Sequence, residues 1–317
     1  MCADYSNPNL IAAARFLHPQ SEDSGTTNAL LIFGRFCSHD NLIDIAHQLI
    51  IDDSNTVKAT TATKDNALNL LCKYFKSEKI VEVADLLIEN GVDIGQMDKD
   101  GNTALMLLCS DSQNEKIVKM GELLIEKSID SNQANSVGDN APMSLCQYSK
   151  GDKIFEMAEL LIDKGIDVNH RNNFGENALI VLCWSSDSEQ IFQVAERLIA
   201  EGIDVNHENN LGDNALMRLC EHSESEKIVQ LAELLIENGV DIDGTNYDRE
   251  NALMKLLKHS KNDKILEVTE LLIAKGINVS QKDKYGENAA DYLNARSTDE
   301  VQNKSQILKL IKKKKVN

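Results

Sequence analysis

The chain has 317 residues, of which 42% are apolar, 4% are aromatic and three are proline. This aliphatic, Pro-poor and charged composition favours helices. The formal net charge of −18 disfavours general nucleic-acid binding, which depends on an excess of Lys and Arg, and agrees better with a basic partner or simply with solubility. No run of about 18 apolar residues occurs, so we expect no membrane-spanning helix, and residues 1–20 lack the apolar region of a signal peptide.

The dominant feature of the sequence is an internal repeat with a period of 37 residues. Its marker is the dipeptide Asn-Ala, which is Thr-Ala in one copy. The first residue of this dipeptide is found at Asn66, Thr103, Asn140, Asn177, Asn214, Asn251 and Asn288, after a degenerate copy at Asn28. A fixed period of this size indicates stacked supersecondary units.

Each unit is predicted to contain two helices, as residues 175–206 illustrate. Asn177 can cap a short apolar helix over residues 178–183, because its side-chain oxygen can accept hydrogen bonds from free backbone amides. A second helix then ends at Gly202, a residue that readily adopts the left-handed closing conformation. An extended segment over 203–206 and a turn containing Gly212 follow. A second column of predicted cap residues, before the second helices, consists of Ser77, Asn114, Gly151, Ser188, Ser225 and Asn262.

This order of elements resembles the ankyrin repeat: a cap, Ala-Leu, a short helix, a second helix ending in Leu-Leu-Ile-x-x-Gly, then Asp-Val-Asn and a glycine turn. The resemblance covers residues 25–294. The sequence departs from the family in its Asn-Ala-Leu-Met opening, seen at residues 214–217, and in a unit longer than the family's usual length of about 33 residues. The resemblance implies an all-α solenoid of about 7–8 stacked helix-turn-helix repeats with β-hairpin-like fingers. It also implies that the first helices and fingers form a concave, protein-binding surface.

The two ends of the chain are predicted to cap the repeat array. Residues 1–24 form the expected N-terminal capping segment, and residues 295–317 the expected C-terminal capping helix with a lysine tail. A terminal repeat needs a polar outer face for solubility. The run Lys312–Lys315 suits the negative end of a helix dipole, and a nuclear-import signal is the alternative interpretation.

Five cysteines recur with the repeat period, at Cys72, Cys109, Cys146, Cys183 and Cys220. Equivalent positions on stacked helices lie roughly 8–10 Å apart, whereas a disulfide needs Cα atoms within about 7 Å and a zinc site needs converging ligands. We therefore expect these thiols to be buried, reduced and free of metal, and we expect no cofactor. Numerous free thiols favour a reducing compartment, so a cytoplasmic location is expected.

The candidate partner-binding residues lie in columns that vary between repeats. Trp184, the only tryptophan, is either an exposed anchor, since Trp, Tyr and Arg dominate binding hot spots, or a partly buried filler between repeats. Phe174 and Leu211 are either local staples of the fingers or contacts. The predicted binding residues are Tyr148, Val181, Trp184, Arg218 and His222 on first helices and Arg171, Phe174, His207 and Leu211 on fingers.

Two fingers also carry a possible modification site. Asp167-Val168-Asn169 and Asp204-Val205-Asn206 each follow a leucine placed six residues before the aspartate. This pattern resembles the site at which an asparaginyl hydroxylase modifies ankyrin fingers, so Asn169 and Asn206 are candidate acceptors. The alternative is that each asparagine only makes hydrogen bonds within the finger.

The function predicted from these features is that of a non-catalytic scaffold or adaptor that binds another protein. No glycine-rich phosphate loop or Ser/His/Asp arrangement is visible, and the segments outside the repeats are too short for a catalytic domain. We expect a monomer that binds a protein partner, and the net charge of the chain favours a basic partner. We expect no binding to nucleic acid or to membranes. The alternative functions are regulation or inhibition of a specific enzyme and action as a secreted effector in the cytosol of a host cell.

Overall fold

The computed structural model describes residues 46, 58–74, 79–110, 116–148, 152–185, 190–222, 226–261, 263–297, 301 and 303–316. Within these residues the regular structure consists of fourteen α-helices, and no β-strand occurs. The chain divides into two compact units, Met1–Ser136 and Val137–Asn317. None of the described helices is both long enough and apolar enough to cross a membrane.

The helices alternate between a first and a second member of each repeat. The first helices are α1 (Ala67–Tyr74), α3 (Ala104–Ser110), α5 (Ala141–Tyr148), α7 (Ala178–Ser185), α9 (Ala215–His222), α11 (Ala252–His259) and α13 (Ala289–Ala295). The second helices are α2 (Ile80–Glu89), α4 (Ile117–Glu126), α6 (Ile154–Asp163), α8 (Ile191–Ala200), α10 (Ile228–Glu237), α12 (Ile265–Ala274) and α14 (Lys304–Val316).

Within each unit, first helices pack on first helices and second helices on second helices. In the unit Val137–Asn317 the first layer runs α5, α7, α9, α11, α13 and the second runs α6, α8, α10, α12, α14. In the unit Met1–Ser136, α1 packs on α3 and α2 on α4. Each helix also contacts the other helix of its own repeat. The predicted all-α repeat fold is confirmed, and the seven described helix pairs agree with the predicted number of repeats.

The asparagine that opens each repeat joins two parts of the structure. The Ile180 N–H donates to Asn177 Oδ1 over 3.0 Å, which caps α7, and Asn177 Nδ2 donates to the backbone oxygen of Asp204 over 3.0 Å. The same two bonds recur at four equivalent residues, Asn66, Asn140, Asn214 and Asn251. Asparagine suits this position because one side chain must both accept from the helix and donate to the finger.

The second helices begin and end differently. Their predicted cap column lies outside the described residues, and α2 begins at Ile80 after Lys79, which makes no side-chain cap bond. At the other end, glycine closes the helix as predicted: Gly202 has φ of 90°, and its N–H bonds to the Ile199 carbonyl. Ser128 occupies the equivalent position with φ of 70°, an unusual conformation for a residue with a side chain.

Between successive fingers the backbone makes single hydrogen bonds and not strand ladders. The backbone N–H groups of Asn173, Asn210 and Tyr247 donate to the carbonyls of Val137, Phe174 and Leu211 on the preceding finger, over 2.9–3.0 Å. One such bond per repeat is too few for a β-strand, which explains why the hairpin-like fingers are irregular. An Asx turn shapes several fingertips, as when the Phe174 and Glu176 N–H groups donate to Asn172 Oδ1.

The core is aliphatic, and the repeated cysteines belong to it. Cys72, Cys109, Cys146, Cys183 and Cys220 are all free and buried. The prediction of buried, unbridged thiols is confirmed. In α14, Ile307 and Ile311 are buried and Lys312–Lys315 are exposed. The predicted N-terminal segment 1–24 lies outside the described residues, and the predicted boundaries of the array stay predictions.

Candidate partner-binding surface

A pocket of about 460 Å³ opens in the unit Val137–Asn317, among α5, α7, α9 and their fingers. Its lining combines aromatic, aliphatic, amide and charged side chains. The lining residues are Val137, Asp139, Gln147, Tyr148, Asn172, Phe174, Glu176, Val181, Trp184, Asn209, Asn210, Leu211 and Arg218. Its volume falls within the range of small-ligand pockets, about 300–1,000 Å³.

Six of the predicted binding residues line this pocket. Tyr148, Phe174 and Leu211 are 54%, 58% and 60% exposed, so large apolar groups stand in solvent at its mouth. Val181 is only 2% exposed and forms part of the floor, so it offers little surface to a protein partner. This burial corrects the expectation that Val181 lies on a freely accessible surface; its varying column reflects packing between helices.

Trp184 also lines the pocket, as a partly buried side chain. The guanidinium carbon of Arg218 lies 5.4 Å from the centroid of the Trp184 ring, and the His222 ring meets it edge-on with centroids 6.4 Å apart. The indole Nε1 is buried and has no hydrogen-bond partner among the described residues. Trp184 therefore acts first as a packed platform between repeats, and the interpretation as a fully exposed anchor does not describe it.

The remaining predicted residues lie beside the pocket. Arg171 is exposed on its finger, and His222 lies at the end of α9 beside Trp184. His207 is buried, and its Nε2 lies 2.6 Å from the Gly175 carbonyl oxygen of the preceding finger. His207 therefore holds two fingers together, and the structure corrects its prediction as a surface contact.

An ion-pair network that the sequence did not reveal continues from the pocket along α9 and α11. Arg218 lies 3.0 Å from Glu221 and 3.8 Å from Glu176, and Lys255 Nζ lies 3.2 Å from Glu221. Lys255 Nζ also lies 3.3 Å from Asp213. These residues occupy the varying columns or precede the helix caps. The sequence does show opposite charges at equivalent or nearby positions of neighbouring repeats. Which of them pair can be predicted only from the distances between repeats.

Burial and neighbouring charges shift the pKa values of these groups in opposite directions. Burial favours a higher pKa for Glu221, but the charges of Lys255, His222 and Arg218 outweigh it and lower that pKa. Burial disfavours the charged form of Lys255, but Asp213, Glu221 and Glu250 raise its pKa. Both groups are therefore charged at neutral pH, as a buried network requires.

The candidate hydroxylation residues have a clear structural role. Asn169 Nδ2 donates to the Gly202 carbonyl over 3.1 Å, and the Asp204 N–H donates to Asn169 Oδ1 over 2.8 Å. Asn206 makes the same pair of bonds to Gly239 and Asp241. The bonds join successive repeats, so the structural interpretation of both asparagines has direct support, and their hydroxylation stays a prediction.

Further exposed apolar residues, which were not among the predicted binding residues, occur on the fingertips. Val137, Tyr247 and Tyr285 are exposed, like Phe174 and Leu211. Four of these five residues occur at the repeat period, at Val137, Phe174, Leu211 and Tyr285. Within the described residues no cluster of His, Cys, Asp and Glu has the arrangement of a metal site. Exposed apolar groups that lie together, as Val137, Phe174 and Leu211 do around the pocket, are typical of an interaction surface.

Comparison with solved structures shows the same fold. The human ASB11 ankyrin repeat domain is 16% identical, with a TM-score of 0.61, over 78% of this chain and 98% of that one. The ankyrin repeat domain of Bcl-3, a member of the IkappaB protein family, is 17% identical, with a TM-score of 0.56, over 77% of this chain and 98% of that one. No curated protein sequence shows significant similarity to the chain.

The family model that describes three copies of the ankyrin repeat matches residues 68–172, 143–246 and 182–283. Together these matches span most of the chain and include the pocket and its flanking fingers. Ankyrin repeat domains are generally protein–protein interaction modules. The chain belongs to the ankyrin repeat family.

Proposed function

We propose that this protein is a non-catalytic scaffold or adaptor that binds one protein partner through the pocket among α5, α7 and α9 and the fingertips around it. The observation that carries the proposal is the exposure of Tyr148, Phe174 and Leu211 at the mouth of one pocket. Large apolar side chains in water cost free energy that a bound partner recovers, and pockets ringed by such groups form the centres of interfaces.

The charge of the chain favours a basic partner. A net charge of −18 attracts a cationic surface over a long range and speeds association at low salt. A reducing compartment such as the cytoplasm suits the buried free thiols. A monomer is the simplest state for such an adaptor, and the exposed Lys312–Lys315 run favours a nuclear location as the alternative.

The test begins with affinity capture of partners by the wild-type chain and measurement of the dissociation constant for each. We expect the double variant Phe174→Ala, Leu211→Ala to bind the partner at least about 30-fold more weakly, because interface hot spots contribute about 2 kcal/mol or more. Tyr285→Ala removes an equally exposed fingertip away from the pocket and is the matched control, with an expected change of less than threefold.

Stability must be measured on the same variants, since loss of folding also abolishes binding. Exposed side chains change stability by less than about 0.5 kcal/mol, so the variants should melt like the wild type. A partner whose affinity is unchanged in the double variant would show that binding takes place elsewhere on the chain.

A further inference from the structure

Two N–H donors beside the pocket have no hydrogen-bond acceptor among the described residues. Trp184 Nε1 and Arg218 Nε are both buried and unpaired. Both side chains line the pocket, and they pack together, with the guanidinium carbon 5.4 Å from the centroid of the indole ring. Buried donors in native proteins are nearly always paired, so two unpaired donors beside one pocket indicate an acceptor that comes from a bound molecule.

The tryptophan replaces a residue that is bonded within the chain two repeats later. Lys258 occupies the equivalent position there, and its Nζ donates to Glu250 Oε1 over 2.6 Å. At the pocket the equivalent carboxylate is Glu176, to which the indole ring makes no bond. Glu176 Oε1 lies 3.8 Å from the nearest nitrogen of Arg218, beyond hydrogen-bond distance. The wall of the pocket therefore combines unpaired donors with a carboxylate oxygen that can accept.

This combination selects a neutral ligand that both accepts and donates hydrogen bonds. Arginine and lysine side chains only donate, so they leave the two N–H groups unpaired. A carboxylate accepts, but it would face the negative charge of Glu176, and Arg218 already pairs with Glu221 at 3.0 Å. A carboxamide carries an acceptor oxygen and an NH₂ donor on one planar group.

The mouth of the pocket suits a carboxamide on an apolar stem. Phe174 and Leu211 are largely exposed there, whereas Trp184 and Arg218 are partly buried beneath them. The methylene groups of glutamine can pack on this apolar rim while its carboxamide reaches inward. Because neither donor nitrogen is exposed in the free chain, the side chain of Trp184 or Arg218 must turn towards the ligand, and the hydrogen bonds that form favour this movement.

We propose that this pocket receives a glutamine side chain of the bound protein, whose carboxamide oxygen accepts from the unpaired N–H groups of Trp184 and Arg218 and whose NH₂ group donates to Glu176. The inference rests on the proposed function and names the partner chemistry that this pocket selects.

The single tryptophan provides a direct probe of the pocket. In a uniformly ¹⁵N-labelled chain, Trp184 gives the only indole N–H signal, and this signal is followed during titration with N-acetyl-glutamine amide. N-acetyl-glutamate amide has nearly the same shape with a negative charge, and N-acetyl-methionine amide has an apolar side chain of similar length. We expect a saturable downfield shift of the indole proton with the glutamine probe, because a hydrogen bond deshields it. The other two probes should bind at least about fivefold more weakly.

The variant Glu176→Gln changes which probe the pocket prefers. It removes the charge that opposes a carboxylate and keeps an oxygen that can accept from Asn172, and an amide side chain occurs naturally at the equivalent Asn102. We expect the preference for glutamine over glutamate to narrow at least about tenfold. Glu196→Gln makes the same change in charge at an exposed residue of α8 and should leave the preference unchanged.

The variant Trp184→Phe removes the indole donor and keeps an aromatic ring. Binding is then followed by the methyl signals of Leu211, which lines the same pocket. We expect the glutamine probe to bind at least about threefold more weakly and the methionine probe to bind as it does to the wild type, because only the former uses the donor. The melting temperature of each variant shows that it is folded.

The proposal is overturned if the glutamine probe causes no saturable shift, if glutamate or methionine binds as well, or if Trp184→Phe binds glutamine like the wild type. The proposed function is tested separately by the double variant at the fingertips. If that variant loses the partner while the glutamine probe fails, only the glutamine pocket is wrong. If the probe binds as expected but the double variant keeps the partner, the pocket stands and the proposed interface is wrong.

Discussion

The repeated cysteines fill a buried apolar position between stacked first helices, which Leu257 occupies in a later repeat. All five are buried in an aliphatic core. Burial raises the pKa of Cys146 and Cys220 to about 12, because a thiolate loses its hydration there. Cys183 lies between them, and its pKa is raised by burial and by both neighbouring cysteines. These thiols therefore serve packing and not chemistry.

We expect the five thiols to resist alkylation in the native chain, because the reactive thiolate is scarce and the sulfur is shielded. The measurement is peptide-resolved mass spectrometry after brief treatment with iodoacetamide, with and without denaturant. Labelling should be at least about 100-fold slower in the folded chain, in keeping with a small unfolded population. Fast native labelling of Cys146 or Cys183 would contradict the burial seen here.

The opening asparagine of a repeat acts at the scale of elements, since it links a helix to a finger 27 residues later. Asn177 caps α7 and also holds the Asp204 carbonyl. Thr103 at the equivalent position can accept but offers no amide donor, and its Oγ1 lies 3.5 Å from the Met106 nitrogen. Thr103 thus caps its helix from the same position as Asn177, but it lacks the amide that Asn177 donates to the finger.

We expect Asn177→Ala to lower the free energy of unfolding by about 2 kcal/mol, because it loses a cap and a buried hydrogen bond. Asn177→Thr keeps the cap and should lose about half as much. Denaturation with urea, followed by circular dichroism, measures both. Thr103→Asn is the reverse change and should stabilise the chain. Equal losses for Ala and Thr at position 177 would mean that the bond to the finger contributes nothing.

Two glycines have similar backbone conformations but different surroundings, so substitutions at them distinguish backbone strain from steric clash. Gly175 and Gly202 have φ of 74° and 90°. A Cβ on Gly175 would overlap the Asn210 side chain and lie 3.0 Å from its backbone nitrogen, whereas a Cβ on Gly202 would meet nothing within 4 Å. The turn glycine therefore also allows close approach of the next finger.

We expect Gly202→Ala to cost about 1 kcal/mol through backbone strain alone, and Gly175→Ala to cost about 2 kcal/mol or more, because it adds a clash to the same strain. Urea denaturation of the two variants measures the difference. Similar losses at both positions would show that the fingers can separate without cost.

At the scale of the whole molecule, the charged network makes stability depend on pH. The pKa values of Asp98, Glu221, Glu250 and Asp283 are lowered, because cationic or hydrogen-bonding groups outweigh burial. A lowered carboxyl pKa stabilises the folded state above the ordinary value, and this contribution is lost as the pH falls through the folded value. Asp139 acts in the opposite direction, because its pKa is raised.

We expect the chain to lose stability progressively below about pH 4.5, the ordinary pKa of a glutamate. An earlier, smaller loss should begin near pH 6.5, because burial lowers the pKa of His222 and His259 and the unfolded chain takes up protons first. The measurement is the free energy of unfolding from pH 8 to pH 3. Glu250→Gln should flatten the acid limb, and an unchanged profile in this variant would contradict the role of the network.

The sequence by itself determined the repeat, the helix pairs, the caps at the opening asparagines and the glycines that close the second helices. These features depend on local backbone chemistry and on a periodicity that any stacked arrangement must satisfy. The sequence also indicated six of the thirteen residues that line the pocket, among them Tyr148, Trp184 and Arg218 in the varying columns. It could not rank these columns by exposure, since the same column holds Val181 in the floor and the ion-paired Lys255.

Only the tertiary structure decided which side chains meet between repeats. Lys255 pairs with Asp213 across 42 residues, and His207 bonds to Gly175 across 32. Such pairs depend on the distance and rotation between neighbouring repeats, which the sequence of a single repeat does not encode. The same packing buries Asp139 and Glu176 beside the pocket and places Lys255 between Asp213 and Glu250 two repeats later, because burial and ion pairing are properties of the assembled stack.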